Sequence, residues 1–172
     1  IATNDDRLAE RLRGIRVHGC TKEKYRHDLF GTNLKMDSLQ GAFLSIKLEG
    51  LSQANGRRQE IACLYEKGLS DTPLRLPVSP SNGAHVYHLY VVKCDEREKL
   101  QQHLASKGIQ TAIHYPLPIH KQTPFKAFVP ASCVLPQAER LANTILSLPL
   151  FPLMTDSEVE EVIGAVREYY QV

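Results

Sequence analysis

Two short stretches carry the residue types that do chemistry near neutral pH. "TAIHYPLPIHKQ", residues 111–122, gathers His114, Tyr115, His120 and Lys121 around Pro116 and Pro118. Imidazole serves as acid, base or metal ligand, and proline fixes the backbone that carries it. The stretch therefore reads as a metal site, a catalytic or binding site, or only a stiff loop. "GTNLKMD", residues 31–37, places Asn33 and Lys35 just before an expected helix start. Backbone amides at a helix N-terminus favour anions. The Asn33 amide can donate to a phosphate oxygen, and Lys35 adds a point charge. The plainer reading is a capped turn with Lys35 in solvent.

The remaining chemistries have little support. Zinc needs about four ligands in defined geometry. His114 and His120 lie six apart across two prolines, without an HExxH motif and without an acid beside either. His85 and His88 alternate along an expected strand and would face opposite sides. No GxSxG, GxGxxG or Walker pattern occurs, and the four cysteines form no CxxC pair. Cys63 falls in an apolar helical pattern and reads as core. Neither polar stretch contains an evident nucleophile.

The elements that must position these residues follow from periodicity and caps. Asn4 or Asp5 caps a helix to about Arg16 that stops near Gly19. Ile1 and Ala2 read as the end of a strand, so the natural chain is expected to extend upstream. Asp37, with Gln40 three residues on, opens a second helix as a capping box. Its apolar side carries Leu39, Phe43, Ile46, Leu48 and Leu51. A break is expected near Gly50 and Gly56, and a helix resumes with Ile61, Leu64 and Tyr65 inward. A proline-rich connector spans 71–84. "HVYHLYVVK" (85–93) and "IQTAIHY" (109–115) read as strands. Between them lies a helix with Asp95 as cap and Gly108 as stop. Pro136 opens a further helix that ends before Pro149. Thr155 and Glu158 form the capping box of a last helix, whose apolar face is Val159, Val162, Ile163 and Val166. Beyond about residue 72 the pattern is a compact α/β sandwich.

Bulk composition narrows the class. The 172 residues are 42% hydrophobic and 23% charged, which describes a globular chain. A net charge of +2 without a block of like charges argues against nucleic acid as partner. The densest basic patch, "KEKYRH" at 22–27, reads as a solvated turn. Four widely spaced cysteines suggest free thiols in a reducing compartment. No apolar run is long enough to cross a membrane and no signal peptide is visible. A cytoplasmic protein is the expectation.

Five segments then occur in one order: "TNDDRLAERLRGIRVHG", "GTNLKMDSLQGAFLSIKLE", "HVYHLYVV", "GIQTAIHYPLPIHKQ" and "AERLANTILSLPLFPLMTDSEVEEVI". Together they resemble the sugar aminotransferases of the DegT/DnrJ/EryC1/StrS family, pyridoxal-phosphate enzymes of fold type I. The resemblance spans nearly the whole chain. It implies an α/β fold, with residues 1–50 the end of the large cofactor-binding domain and interdomain helix. Residues 51–172 would be the C-terminal small domain, helices on a small, mainly antiparallel sheet. The family's Schiff-base lysine, its acid on the pyridine nitrogen and its stacking aromatic would all lie upstream of this chain. The cofactor implied is pyridoxal 5'-phosphate. The reaction implied is amino transfer from an amino acid, with glutamate the expected donor, to a keto group of a nucleotide-linked sugar.

The resemblance also assigns roles. Asn33 of the G-x-N motif is expected to reach the cofactor phosphate of the neighbouring subunit in a homodimer with shared active sites. Lys35 stands where the family usually has arginine and is expected to contact the nucleotide sugar, as a point charge rather than a bidentate fork. His114 and Tyr115 are expected to line the sugar-nucleotide pocket. His120 and Gln122 are structural or support that pocket from behind. "HYPLPIHKQ" then becomes a substrate-binding loop held rigid by its prolines. The alternative is a non-catalytic sugar-nucleotide-binding or regulatory module of the same fold without the lysine.

Overall fold

The computed structural model describes residues 1–21, 25–78, 85–130 and 132–172. The lysines and glutamate at 22–24 of the basic patch, and 79–84 of the proline connector, lie outside the described residues. The chain divides into two compact units, Ile1–Gly50 and Leu51–Val172.

The first unit begins with helix α1, Asp6–Ile15. Asp5 is its cap, accepting from the Leu8 amide at 3.1 Å. Residues 1–3 form no strand, contrary to expectation; among the described residues nothing pairs with them as a ladder. After α1 the backbone folds back on itself. The amide of His18 donates to the Thr32 carbonyl (3.1 Å), Thr32 to Ile15 (2.9 Å) and Leu34 to Arg16 (3.0 Å). Close passage of these strands of backbone demands two glycines. A Cβ at Gly19, whose φ is +82°, would sit 1.7 Å from the Leu29 carbonyl oxygen. One at Gly31 would sit 2.2 Å from the Gly19 nitrogen. Helix α2, Ser38–Glu49, follows, with the expected capping box of Asp37 and Gln40. It buries none of its residues.

The second unit opens with helix α3, Leu51–Leu69, so the expected break falls at Gly50 and Gly56 is carried within a helix. Ile61, Ala62, Tyr65 and Leu69 of α3 are buried, as the periodicity indicates. Cys63 is exposed rather than core. It lies two positions from both Ile61 and Tyr65, about 200° round the helix, and so faces away from them.

Strand β1 (Tyr90–Lys93) pairs antiparallel with β2 (Ile145–Leu148), Tyr90 opposite Leu148 and Lys93 opposite Ile145. Single bridges extend the ladder on both sides, Arg75 to Lys93 and Ala112 to Ser147. The expected strand at 85–93 is thus confined to its last four residues; Tyr87 turns the chain with φ +46°. The strand expected at 109–115 reduces to the bridge at Ala112. Helix α4, Arg97–Ser106, is preceded by Glu96, which makes no side-chain cap, so Asp95 is not the cap. Gly108 does follow its end, with φ +78°. Helix α5, Pro136–Thr144, stops four residues earlier than the pattern suggests, because Ile145–Leu148 is β2. Helix α6, Asp156–Tyr170, carries the Thr155–Glu158 capping box.

One core lies between these layers. Tyr65, Tyr90, Ile61, Leu69, Leu100, Leu104, Leu146, Val92, Val159 and Val166 are its largest fully buried side chains. Arg57 of α3 ties this core's edge to α6, 2.6 Å from Asp156 and 2.7 Å from the Met154 carbonyl. No helix among the described residues is long and apolar enough to cross a membrane.

Candidate functional site

Asn33 and Lys35 belong to the first unit. The Val17–Asn33 bridge fixes the Asn33 backbone, and its side chain is exposed. Asn33, Lys35 and Lys47 line an open groove of about 760 Å³ with Leu34, Met36 and Phe43. No carboxylate is among the residues lining it. The amides of α2's first turn are not open to an anion: Asp37 accepts from Leu39 at 2.8 Å and from the Gln40 backbone. Any anion-binding power of "GTNLKMD" thus resides in the side chains of Asn33 and Lys35 rather than in the helix terminus.

His114 and Tyr115 belong to the second unit, just past the Ala112 bridge. The His114 Nδ1 lies 2.9 Å from Ser147 Oγ. Ser147 is buried in β2, and its main chain is held by Ala112, whose carbonyl accepts from the Ser147 amide at 2.8 Å. The imidazole thus takes its orientation from the sheet. Tyr115 packs edge-on to His114, 5.5 Å between ring centres, and is 73% exposed. Beyond it, Leu117 and Ile119 are also exposed.

The far end of the loop is fastened to α5. The Glu139 carboxylate meets His120 Nε2 at 3.1 Å and Lys121 Nζ at 2.5 Å, and accepts from the Leu135 amide at 3.2 Å. His120 is nearly buried by this contact. Gln122 donates back to the Leu117 carbonyl at 3.4 Å. His120 and Gln122 therefore hold the loop, while Tyr115 projects from it. No three His, Cys, Asp or Glu side chains converge among the described residues. Ser147 and Glu139 had no sequence signal of their own. The one available hint for Ser147 is a lone hydroxyl inside the apolar run "ILSLPL".

Lys121, then His120 and the Leu135 amide, hold the Glu139 carboxyl down at about 2, from an ordinary value of 4.5. A depressed carboxylate stabilises the fold above its ordinary value and loses that contribution as the pH falls toward its folded value. Glu139→Gln should therefore melt lower than wild type at pH 7. The gap should close as the pH falls from about 4.5 toward 2. A gap in melting temperature that stays constant over this window would show that the carboxylate charge does not fasten the loop.

Comparison with known proteins agrees with this fold. The DegT/DnrJ/EryC1/StrS aminotransferase family matches residues 1–167. A dTDP-3-amino-3,6-dideoxy-alpha-D-galactopyranose transaminase of Aneurinibacillus thermoaerophilus is 44% identical over 98% of this chain and 46% of its own. The crystal structure of S. venezuelae DesV in complex with a ketimine intermediate superposes with a TM-score of 0.91 at 40% identity, covering 99% of this chain and 46% of that one. NtdA from Bacillus subtilis with bound cofactor PMP superposes at 0.89 with 29% identity, covering 99% and 41%. The chain spans about half the length of the relatives it matches. It is an α/β chain that belongs to the DegT/DnrJ/EryC1/StrS aminotransferase family.

Proposed function

We propose that this chain is the C-terminal part of a pyridoxal-phosphate-dependent transaminase. The enzyme moves an amino group from an amino acid, glutamate in our reading, to a keto group of a nucleotide-linked sugar. The observation that carries the proposal is the loop 114–122. Ser147 grips it at one end and Glu139 at the other, so it presents Tyr115 and the outer edge of His114 in a fixed arrangement. A preorganised loop loses less entropy when substrate binds.

Asn33 and Lys35 supply the second set of contacts. A donor amide, two ammonium groups and no carboxylate suit the phosphate end of the cofactor or a nucleotide diphosphate. Asn33 would hold the cofactor phosphate and Lys35 the substrate's phosphates, while His114 and Tyr115 line the sugar-nucleotide pocket. When bound, pyridoxal phosphate acts as the electron sink that makes amino transfer possible. The groups of this chain bind, orient and screen from water. Residues 1–50 would then be the end of the cofactor domain and 51–172 the small domain.

A homodimer with shared sites fits helix α2. Leu39, Phe43, Leu44, Ile46 and Leu48 leave it apolar on more than one side, and all are exposed. A helix apolar all round is a buried helix in the finished protein. We assign its cover to a second copy, in a cytoplasmic enzyme.

The test has two parts. The intact protein, given dTDP-3-amino-3,6-dideoxy-α-D-galactopyranose and 2-oxoglutarate, should release glutamate and the corresponding keto sugar. Cofactor uptake without turnover of any dTDP- or UDP-linked amino sugar would overturn the activity. The 172-residue chain alone should give no borohydride-reducible cofactor band. A reducible adduct on Lys35, Lys47 or Lys121 would overturn the placement of the essential lysine outside this chain.

A further inference from the structure

A second cationic site lies at the end of β1, between the Arg75 bridge and α5, and the family resemblance assigns nothing to it. A small cavity of about 90 Å³ is lined by Arg75, Lys93 and Arg140, with Asp95, Gln137 and Thr144 completing its wall. The three cations come from three parts of the chain: the connector before β1, β1 itself and α5. We propose that this cavity binds a phosphate-type oxyanion.

Three observations carry the proposal. First, the cations are uncompensated. Arg57, Arg97, Lys99, Lys107, Lys121 and Arg167 of this unit each pair with a carboxylate within 4 Å. Among the described residues Arg75, Lys93 and Arg140 pair with none; Arg58, Lys67 and Lys126 also lack a carboxylate, but only these three share one cavity, where Asp95 is the one acid on the wall. Three positive charges against one negative leave an excess that a divalent anion neutralises.

Secondly, the backbone forces two of these charges together. Arg75 and Lys93 exchange both main-chain hydrogen bonds, at 3.1 and 3.0 Å, so they are directly opposite on one face of the ladder. Like charges in that relation destabilise a sheet. Arg140 of α5 brings a third to the same cavity. Local rules are broken mostly at functional or strained positions; Asp95 offsets only one of the three charges, and an oxyanion bridging the cations converts the remaining repulsion into attraction.

Thirdly, the space and the polar groups fit the ligand. About 90 Å³, open to solvent on one side, accommodates one tetrahedral oxyanion. Arginine forks suit phosphate oxygens in two-point contact, and Gln137 and Thr144 offer neutral polar groups.

The experiment uses the intact protein and inorganic phosphate. Pyridoxal phosphate and dTDP are added first in saturating amounts, so that the proposed transaminase site is already filled. Melting temperature is then followed against phosphate at constant ionic strength, with chloride as the balancing ion. Wild type should show a saturable rise. Lys93→Gln and Arg140→Gln should each weaken the apparent phosphate Kd at least tenfold, and Arg140→Lys should recover part of it. Both substitutions are at exposed positions, and transaminase turnover without added phosphate should match wild type, which reports an intact fold. No saturable rise in wild type, or an equal rise in both glutamine variants, overturns the proposal and leaves the cluster a solvated surface. Neither result depends on which sugar the enzyme aminates.

Discussion

His114→Ala in the intact protein should lower kcat/KM for the nucleotide sugar about a hundredfold, and Ser147→Ala about tenfold. The larger figure follows from removing a group that we place against substrate, since a displacement of about 1 Å at such a contact already costs on the order of a hundredfold. The smaller follows from the lost hydrogen bond, about 1–1.5 kcal/mol, equivalent to nearly tenfold. Ser147 itself does not reach the loop's outer surface. It is buried, opposite Val91 in the ladder on one side and bonded to Ala112 on the other. Its hydroxyl has His114 as its partner at 2.9 Å. Alanine leaves that ladder intact and frees the imidazole to rotate. Ser147 is thus a positioning residue, and its effect should vanish where His114 is already gone. The double variant should be no slower than His114→Ala alone, whereas independent sites would add. A wild-type kcat/KM for Ser147→Ala would refute the role, as would full additivity in the double variant. The division between kcat and KM adds detail: loss in KM alone means uniform binding, and loss in kcat means a contact made in the transition state.

How much of this was visible in the sequence depends on how local each cause is. The capping boxes Asp37–Gln40 and Thr155–Glu158 were legible, because cap and partner are three residues apart. So was the inward face of α3, which its own periodicity determines. Strand β2 was not. "ILSL" follows α5 without a breaker, and a short apolar run does not distinguish the last turn of a helix from a buried strand. Its state is set by β1, more than 50 residues upstream. The reverse error occurred at 85–89 and 109–115, where β-prone residues found no complete partner and kept only a bridge or nothing. Of the site, the residues on the loop were legible by type. Their anchors were not, since Glu139 and Ser147 meet the loop only in three dimensions. Asp95 read as a helix cap, yet the structure puts it on the wall of a basic cavity. A polar residue beside a helix start has more than one way to be useful, and only packing decides.

The largest stability effect should come from Tyr65, which joins the core to the strand that orients His114. Tyr65→Ala should destabilise the second unit by about 3–5 kcal/mol, as aromatic truncations in cores do. The side chain is fully buried and its ring lies 4.9 Å from that of Tyr90. Tyr65→Phe keeps this packing and removes one atom. That atom donates to the Pro149 carbonyl at 2.7 Å. Burial raises the phenol above its ordinary value of 10.0, so it stays protonated and a donor at neutral pH. Without it a part-buried carbonyl, one residue past β2, is left unpaired, at a cost of about 1–3 kcal/mol. Native-state hydrogen exchange in the intact protein separates the two changes, since it reads the opening of each segment. Amides of β1 and β2 should exchange faster in both variants, about a hundredfold or more in Tyr65→Ala and about ten- to a hundredfold in Tyr65→Phe. Protection in Tyr65→Phe equal to wild type would mean that water replaces the hydroxyl at Pro149. The end of β2 would then be held by its pairing with β1 alone. If protection falls as expected, Tyr65→Phe should also slow turnover slightly, because Ser147 sits two residues before that carbonyl.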